Sequence, residues 1–318
     1  FGIRKALGIW MKRFINMVLA REEGKRIVYP SWPTEARIVM AAALSSEDVL
    51  VETPEMVTDM VMGQIFGKLN PILEEAEEHG MPPGLGMCSL NQARIGAMAT
   101  GLVPVPDITL TSGFFCDQTA KTDELLHEVY GIENIFIDHC LDAPPGEFPE
   151  LGERQIIYFG GEIARAYEKL QKSMNIDIGE EVRHKAIVEI AKLWWAYQQI
   201  NELMQSDPQP MSQANLSPVL WMIGDAERTV AQYGVDAMND IISGLKERVD
   251  QGSGVVEKGA PRVIFPVHQA TDPSFIHMVE ESGLAIPWVT FSRINPWQKI
   301  KSKYTKFEEK SAETQLRA

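Results

Sequence analysis

The chain has 318 residues, 45% of them apolar, and carries 44 acidic against 30 basic side chains for a formal charge of −14. This composition is ordinary for a globular protein of about two domains, and its acidity argues against a nucleic-acid partner, because neutralising phosphates needs a basic face. No apolar run approaches the ~20 residues that span a bilayer, and no segment reads as a secretory signal.

The first residue is Phe1 and the last stretch, up to Ala318, is polar and helix-prone, so both ends read as trimmed. Residues 1–26 predict an amphipathic basic helix, with Arg4, Lys5, Lys12, Arg13, Arg21, Lys25 and Arg26 against Glu22 and Glu23. It is expected to pack a stripe of Ile3, Leu7, Trp10 and Phe14 on the body; a membrane-surface or partner helix is the alternative.

Residues 27–150 alternate strand and helix. The segment IVYPSW predicts a strand and loop, TEARIVMAAAL a helix, EDVLVETPE a strand, and residues 56–80 a long helix. GLGMC reads as a short buried strand before the helix SLNQARIGAMATGL, DITLTSGFFC as a strand before the helix DQTAKTDELLHEVYG, and ENIFIDHC as a strand closed by a turn-rich segment. Strands alternating with helices of this length predict βαβ units and a parallel sheet. Residues 151–255 carry the 3.6-residue apolar period of helices, broken at DPQPMSQANLSP. Residues 256–318 begin a second α/β unit: PRVIFPVHQ as strand, DPSFIHMVEESG as helix, LAIPWVTF as strand.

Three cysteines, Cys88, Cys116 and Cys140, are an odd number in a chain too long to need staples. They read as free or metal-bound thiols in a reducing, cytoplasmic compartment. Each falls at the carboxyl end of an expected strand, and in a parallel sheet those ends share the edge where ligands bind. Cys88 and Cys116 also open helices, whose positive N-termini favour a thiolate or an anionic cluster. The spacings, 28 and 24 positions, match no ferredoxin or zinc-ribbon pattern. On geometry alone a shared metal site and three inert core thiols both stay open. GLGMCSLNQARIG lacks the GxGxxG of a dinucleotide site and SGFFC is not a nucleophile elbow. Asp138, His139 and His268 at strand ends are weaker candidates for proton transfer and read first as structural polar residues. Trp194, Trp195 and Tyr197 read as helix core.

The succession YPSWPTEARI, GMCSLNQARIGAMATGLVPVPD and TSGFFCDQTAKTDELLHEVYGIENIFID resembles the family of 2-hydroxyacyl-CoA dehydratase (D-component) and benzoyl-CoA reductase subunits. The shared features are Pro33 with Glu35; Cys88 leading to Arg94 and Gly96; Cys116 and Asp117 followed by Lys121; then Pro208, Pro210, Met211 and Ser212, the run Lys246 to Val249, and a strand from Arg262. The likeness covers residues 27 to 295.

The resemblance implies an α/β fold of two Rossmann-like parallel-sheet domains with a helical insert, the second domain truncated here, and a cluster at their cleft. It implies a [4Fe-4S] cluster, in some members a double cubane, held by three cysteines per subunit. Cys88 and Cys116 match two of these as metal ligands. The third comes from the C-terminal domain in the family, and no cysteine follows Cys140 here; Cys140 is expected to be a non-ligating thiol, its substitution for that third ligand being the alternative. The resemblance further implies an acyl-CoA substrate, a homologous partner subunit and a separate ATP-hydrolysing iron–sulfur activator. In the dehydratases an electron delivered to the thioester lets a non-acidic β-proton and the α-hydroxyl depart. In the reductases the electron enters the ring of benzoyl-CoA. A non-catalytic relay or structural subunit, and a metal-free α/β binding protein, are the competing readings.

Overall fold

The computed structural model describes residues 1–32, 34, 36–82, 88–113, 116–139, 153–265 and 273–289. Its centre is a four-stranded parallel sheet made of β1 (Arg26–Pro30), β2 (Val49–Val51), β3 (Ile108–Ser112) and β4 (Glu133–Ile137). The spatial order is β2-β1-β3-β4. Val28 lies opposite both Val51 and Ile108, and Leu110 is opposite Ile135. β1 and β3 are buried along their lengths, from Ile27 and Ile108 onward, as parallel strands covered on both faces must be.

The connection from β1 to β2 runs one way across the sheet and that from β2 to β3 runs back. Right-handed crossovers therefore put the intervening helices on opposite faces. On one side lies α2 (Ala36–Ser45), touching α7 (Glu153–Met174) and α8 (Glu180–Met204). On the other lie α3 (Pro54–Thr58), α4 (Asn70–Glu78), α5 (Ser89–Ala99) and α6 (Asp117–Tyr130), with α5 against α3, α4 and α6. The ends of β1 and β3 form the point where the winding changes direction, the crevice at which open α/β sheets bind ligands.

The single long helix expected over residues 56–80 is interrupted. α3 widens into a π-helical turn over Asp59–Ile65, Gly67 takes φ +62°, and α4 restarts with Pro71 in its first turn. Proline lacks the N–H that a continuing helix would need there, so the chain starts a new one. α4 and α5 then approach so closely that a Cβ on Gly96 would stand 1.9 Å from the carbonyl oxygen of Ile72. Of the strand expected over residues 84–88, residues 84–87 lie outside the described residues, and Cys88 itself is the N-cap of α5.

The helical layer is completed by α9 (Ser217–Gly224) and α10 (Arg228–Asp250), on which α1 (Gly2–Leu19) packs. α1 is rotated relative to the expected stripe: Ala6, Ile9, Trp10, Arg13 and Met17 are buried, while Ile3 and Phe14 are only partly so. Arg13 turns inward because three carboxylates await it: Glu52 after β2 and Asp225 on Nη2, each at 2.6 Å, and Glu227 at 3.4 Å from Nε. Its guanidinium also lies 4.4 Å from the Trp10 ring, whose Nε1 donates to the Pro218 carbonyl at 2.8 Å. A second parallel pair, β5 (Arg262–Phe265) and β6 (Ala285–Val289), is joined through α11 (Pro273–Glu281) as the sequence predicts. Buried Glu280 of α11 ties this unit down by accepting from Gln209 Nε2 at 2.9 Å and from the backbone of Gln213 at 2.8 Å.

Candidate functional site

Cys88 and Cys116 are the N-caps of α5 and α6, both with extended backbone. Neither side chain makes a capping hydrogen bond, and both thiols are free, Cys88 exposed and Cys116 half-buried. Cys116 is the fourth residue past the end of β3, so it stands at the switch-point end of the sheet. The two caps are tied together directly: the backbone N–H of Cys88 donates to Gln118 Oε1 at 2.9 Å, and Gln118 is two residues beyond Cys116. Two helix N-termini, neither capped by its own cysteine side chain, are thus tied to each other, with partial positive charge at each cysteine.

Beneath them lies a fully buried arginine. Arg94, on α5, donates from Nε to Asp123 Oδ1 at 2.8 Å, from Nη1 to Glu55 Oε2 at 2.8 Å and to the Pro30 carbonyl at 3.1 Å, and from Nη2 to the Tyr29 carbonyl at 2.8 Å. One planar group therefore gathers α5, α6, α3 and the end of β1. Glu55 also accepts from the backbone of Trp32 at 2.5 Å, and Thr119 on α6 donates to the Trp32 carbonyl at 3.3 Å. Asp123 receives the hydroxyl of Thr111 on β3. Burial pushes both Glu55 and Asp123 above the usual carboxylate range, against the opposing pull of Arg94. Arg94 itself is held protonated: burial works against its charge, and the two carboxylates outweigh it.

The other sequence candidates are placed as follows. Asp138, exposed just past β4, accepts the Tyr158 hydroxyl at 2.5 Å and the His139 backbone N–H at 2.8 Å, while its own N–H donates to Glu162 at 3.1 Å. His139 packs against Phe159 with ring centroids 4.4 Å apart and the planes tilted by 60°. Both anchor the start of α7 to the sheet, the structural role expected first. Lys121 is exposed and pairs with Glu124 at 2.9 Å, which raises its pKa. Tyr197 is core, but Trp195 is 40% exposed, so the expected aromatic core is only partly one. Pro33, Glu35, Cys140 and His268 lie outside the described residues. Among the described residues no three His, Cys, Asp or Glu side chains are grouped to hold a metal ion. The two thiols fit as part of a ligand set rather than a whole one.

Sequence reasoning did not find Gln118. Nothing about a glutamine in the first turn of a polar helix marks it, because its partner is a backbone group 30 positions away. Arg94 had a signal, a lone cation in the small-residue helix SLNQARIGAMA.

No curated protein matches the chain. A family model does, across residues 36–313, which include both helices opened by cysteines, Arg94 with its partners Glu55 and Asp123, and the second α/β unit. This chain belongs to the family described as 2-hydroxyglutaryl-CoA dehydratase, D-component.

Proposed function

We propose that this chain is an iron–sulfur subunit of an anaerobic 2-hydroxyacyl-CoA dehydratase, with Cys88 and Cys116 as two ligands of a [4Fe-4S] cluster. The observation that carries the reading is the link between two helix N-termini, each opened by a free cysteine, at the switch-point edge of the sheet. Thiolate ligation is what such a cluster requires, and a helix N-terminus favours the anionic form of each thiol and the net negative charge of a cluster. The cluster would supply the low-potential electron that the thioester needs.

The chain's own contribution is to hold and insulate that group. Backbone N–H groups of the first turns of α5 and α6 point toward the thiol side and stabilise negative charge. The buried Arg94 cluster keeps the protein below the thiols dry and rigid, so polar groups act there in a low dielectric. The family match supports an acyl-CoA substrate and a partner subunit; the same reading adds an ATP-hydrolysing activator that delivers the electron. Reduction of an aromatic acyl-CoA is the second reaction type compatible with the same site, and a cytoplasmic setting follows from oxygen-sensitive chemistry on free thiols.

The test is anaerobic purification of the full-length protein, followed by iron and acid-labile sulfide determination. The wild type should be brown with iron and sulfide in near-equal amounts. Cys88→Ser and Cys116→Ser should each lose most of the iron with the fold intact by circular dichroism. Full iron retention in both variants would rule these residues out as ligands.

A further inference from the structure

The arrangement that brings the two cysteines together does not rely on a metal. It is built from protein groups alone. α5 and α6 leave the sheet edge as separate elements, and two connections between them set where their N-caps stand. One is at the surface, from the Cys88 N–H to Gln118 Oε1 at 2.9 Å. The other is buried, from Arg94 Nε to Asp123 Oδ1 at 2.8 Å, with side-chain exposures of 0% at both ends. Arg94 lies less than two helical turns from the Cys88 cap, and Asp123 about two turns from the Cys116 cap. Both contacts therefore act within the first two turns of their helices, where small rotations move the caps directly.

Arg94 does more than join two helices. Its remaining bonds, to Glu55 and to the carbonyls of Tyr29 and Pro30, fix the joined pair to α3 and to the end of β1. Four bonds from one rigid fork leave the guanidinium a single orientation. Lysine at this position would keep the charge but could not satisfy four acceptors spread around a plane. At the surface the atom that accepts from Cys88 is the Gln118 carbonyl oxygen, which glutamate keeps and alanine lacks.

We propose that Arg94 and Gln118 are positioning residues that set the relation between Cys88 and Cys116 before any cluster is bound. This rests on the reading of those two cysteines as ligands. A ligand pair arranged by protein contacts loses no ordering entropy when iron enters, and misplacement of such supporting contacts costs metal affinity about 10- to 100-fold.

The experiment uses the full-length, iron-free chain carrying Cys140→Ala, with nitroxide labels on Cys88 and Cys116 and the distance between them read by double electron–electron resonance. The parent should give one narrow distribution. Gln118→Ala should broaden it without changing the melting temperature, and Gln118→Glu, which keeps the acceptor oxygen, should restore it. Arg94→Lys should broaden or shift it further. In the unlabelled reconstituted protein, Arg94→Lys and Gln118→Ala should lose iron to a chelator about 10-fold faster or more. Should Arg94→Lys fail to fold, the Gln118 pair decides alone. A narrow, unshifted distribution in Gln118→Ala and in any folded Arg94→Lys protein would overturn the positioning roles. A broadened distribution combined with full iron in Cys88→Ser and Cys116→Ser would overturn the ligand reading instead.

Discussion

Glu52→Gln should stabilise this protein at pH 8 and leave it unchanged at pH 4. Glu52 is 1% exposed and shares the single cation Arg13 with Asp225 and Glu227, three carboxylates against one guanidinium. Burial is the largest influence on Glu52 and pushes its pKa up; Arg13 pulls it down and Glu227 adds to the rise, leaving it at about 7 against an ordinary 4.5. Asp225 is likewise raised well above its usual range, first by burial. In the unfolded chain Glu52 gives up its proton near pH 4.5, whereas in the folded chain it holds it to about 7. The folded state therefore binds more protons between those values, and stability falls as pH rises through that window. The loss is absent below pH 4.5 and complete above about 7. Its size is about 3 kcal/mol, taking ~1.4 kcal/mol for each tenfold change in proton affinity. Glutamine copies the neutral acid in shape and keeps an acceptor for Arg13, so the variant should recover up to that amount at pH 8. Equilibrium urea unfolding of wild type and variant at several pH values between 4 and 8 measures it. A variant less stable than wild type at pH 8, or a wild type whose stability rises from pH 5 to 7 while the variant's does not, would refute this account of the cluster.

Gly96→Ala should destabilise the protein by roughly 1–3 kcal/mol or more, because the added methyl would sit 1.9 Å from the Ile72 carbonyl oxygen and must separate α4 from α5; thermal denaturation checks this, and a neutral result would mean the helices are not so closely packed. Glu280→Ala should cost about 1–3 kcal/mol, since it leaves the buried Gln209 amide and Gln213 N–H without their acceptor; amide hydrogen exchange should then rise first over α11 and the β5–β6 pair. Trp10→Phe should cost about 1 kcal/mol by removing the buried hydrogen bond from Nε1 to the Pro218 carbonyl, measured by the shift in urea midpoint.

Much of this architecture was legible along the chain because it is local. The strands β1, β3 and β4 and helices α2, α5, α6 and α10 follow from apolar periodicity and from caps such as Gly131, which takes φ +69° after α6. The position of Cys116 at a strand-to-helix junction was readable for the same reason. The family signature could also be read, but the meaning of its parts could not. Arg94 is there to collect acceptors from β1, α3 and α6, and Gly96 to admit the backbone of α4.

What only the tertiary structure decided are the pairings between distant residues. The strand order, with β1 between β2 and β3, comes from crossover handedness and competing contacts, which no local pattern encodes. The inward turn of Arg13 was hidden among the other cations of α1, because burying a charge is favourable only where carboxylates from positions 39 and 212 residues away converge on it. The hydrogen bond that ties Cys88 to the first turn of α6 likewise joins a backbone amide to a side chain 30 residues on. Residue type and period report how each segment wants to fold and which side it must hide. Which buried charges meet, and which helix ends stand together, depends on the three-dimensional closure of the chain around them.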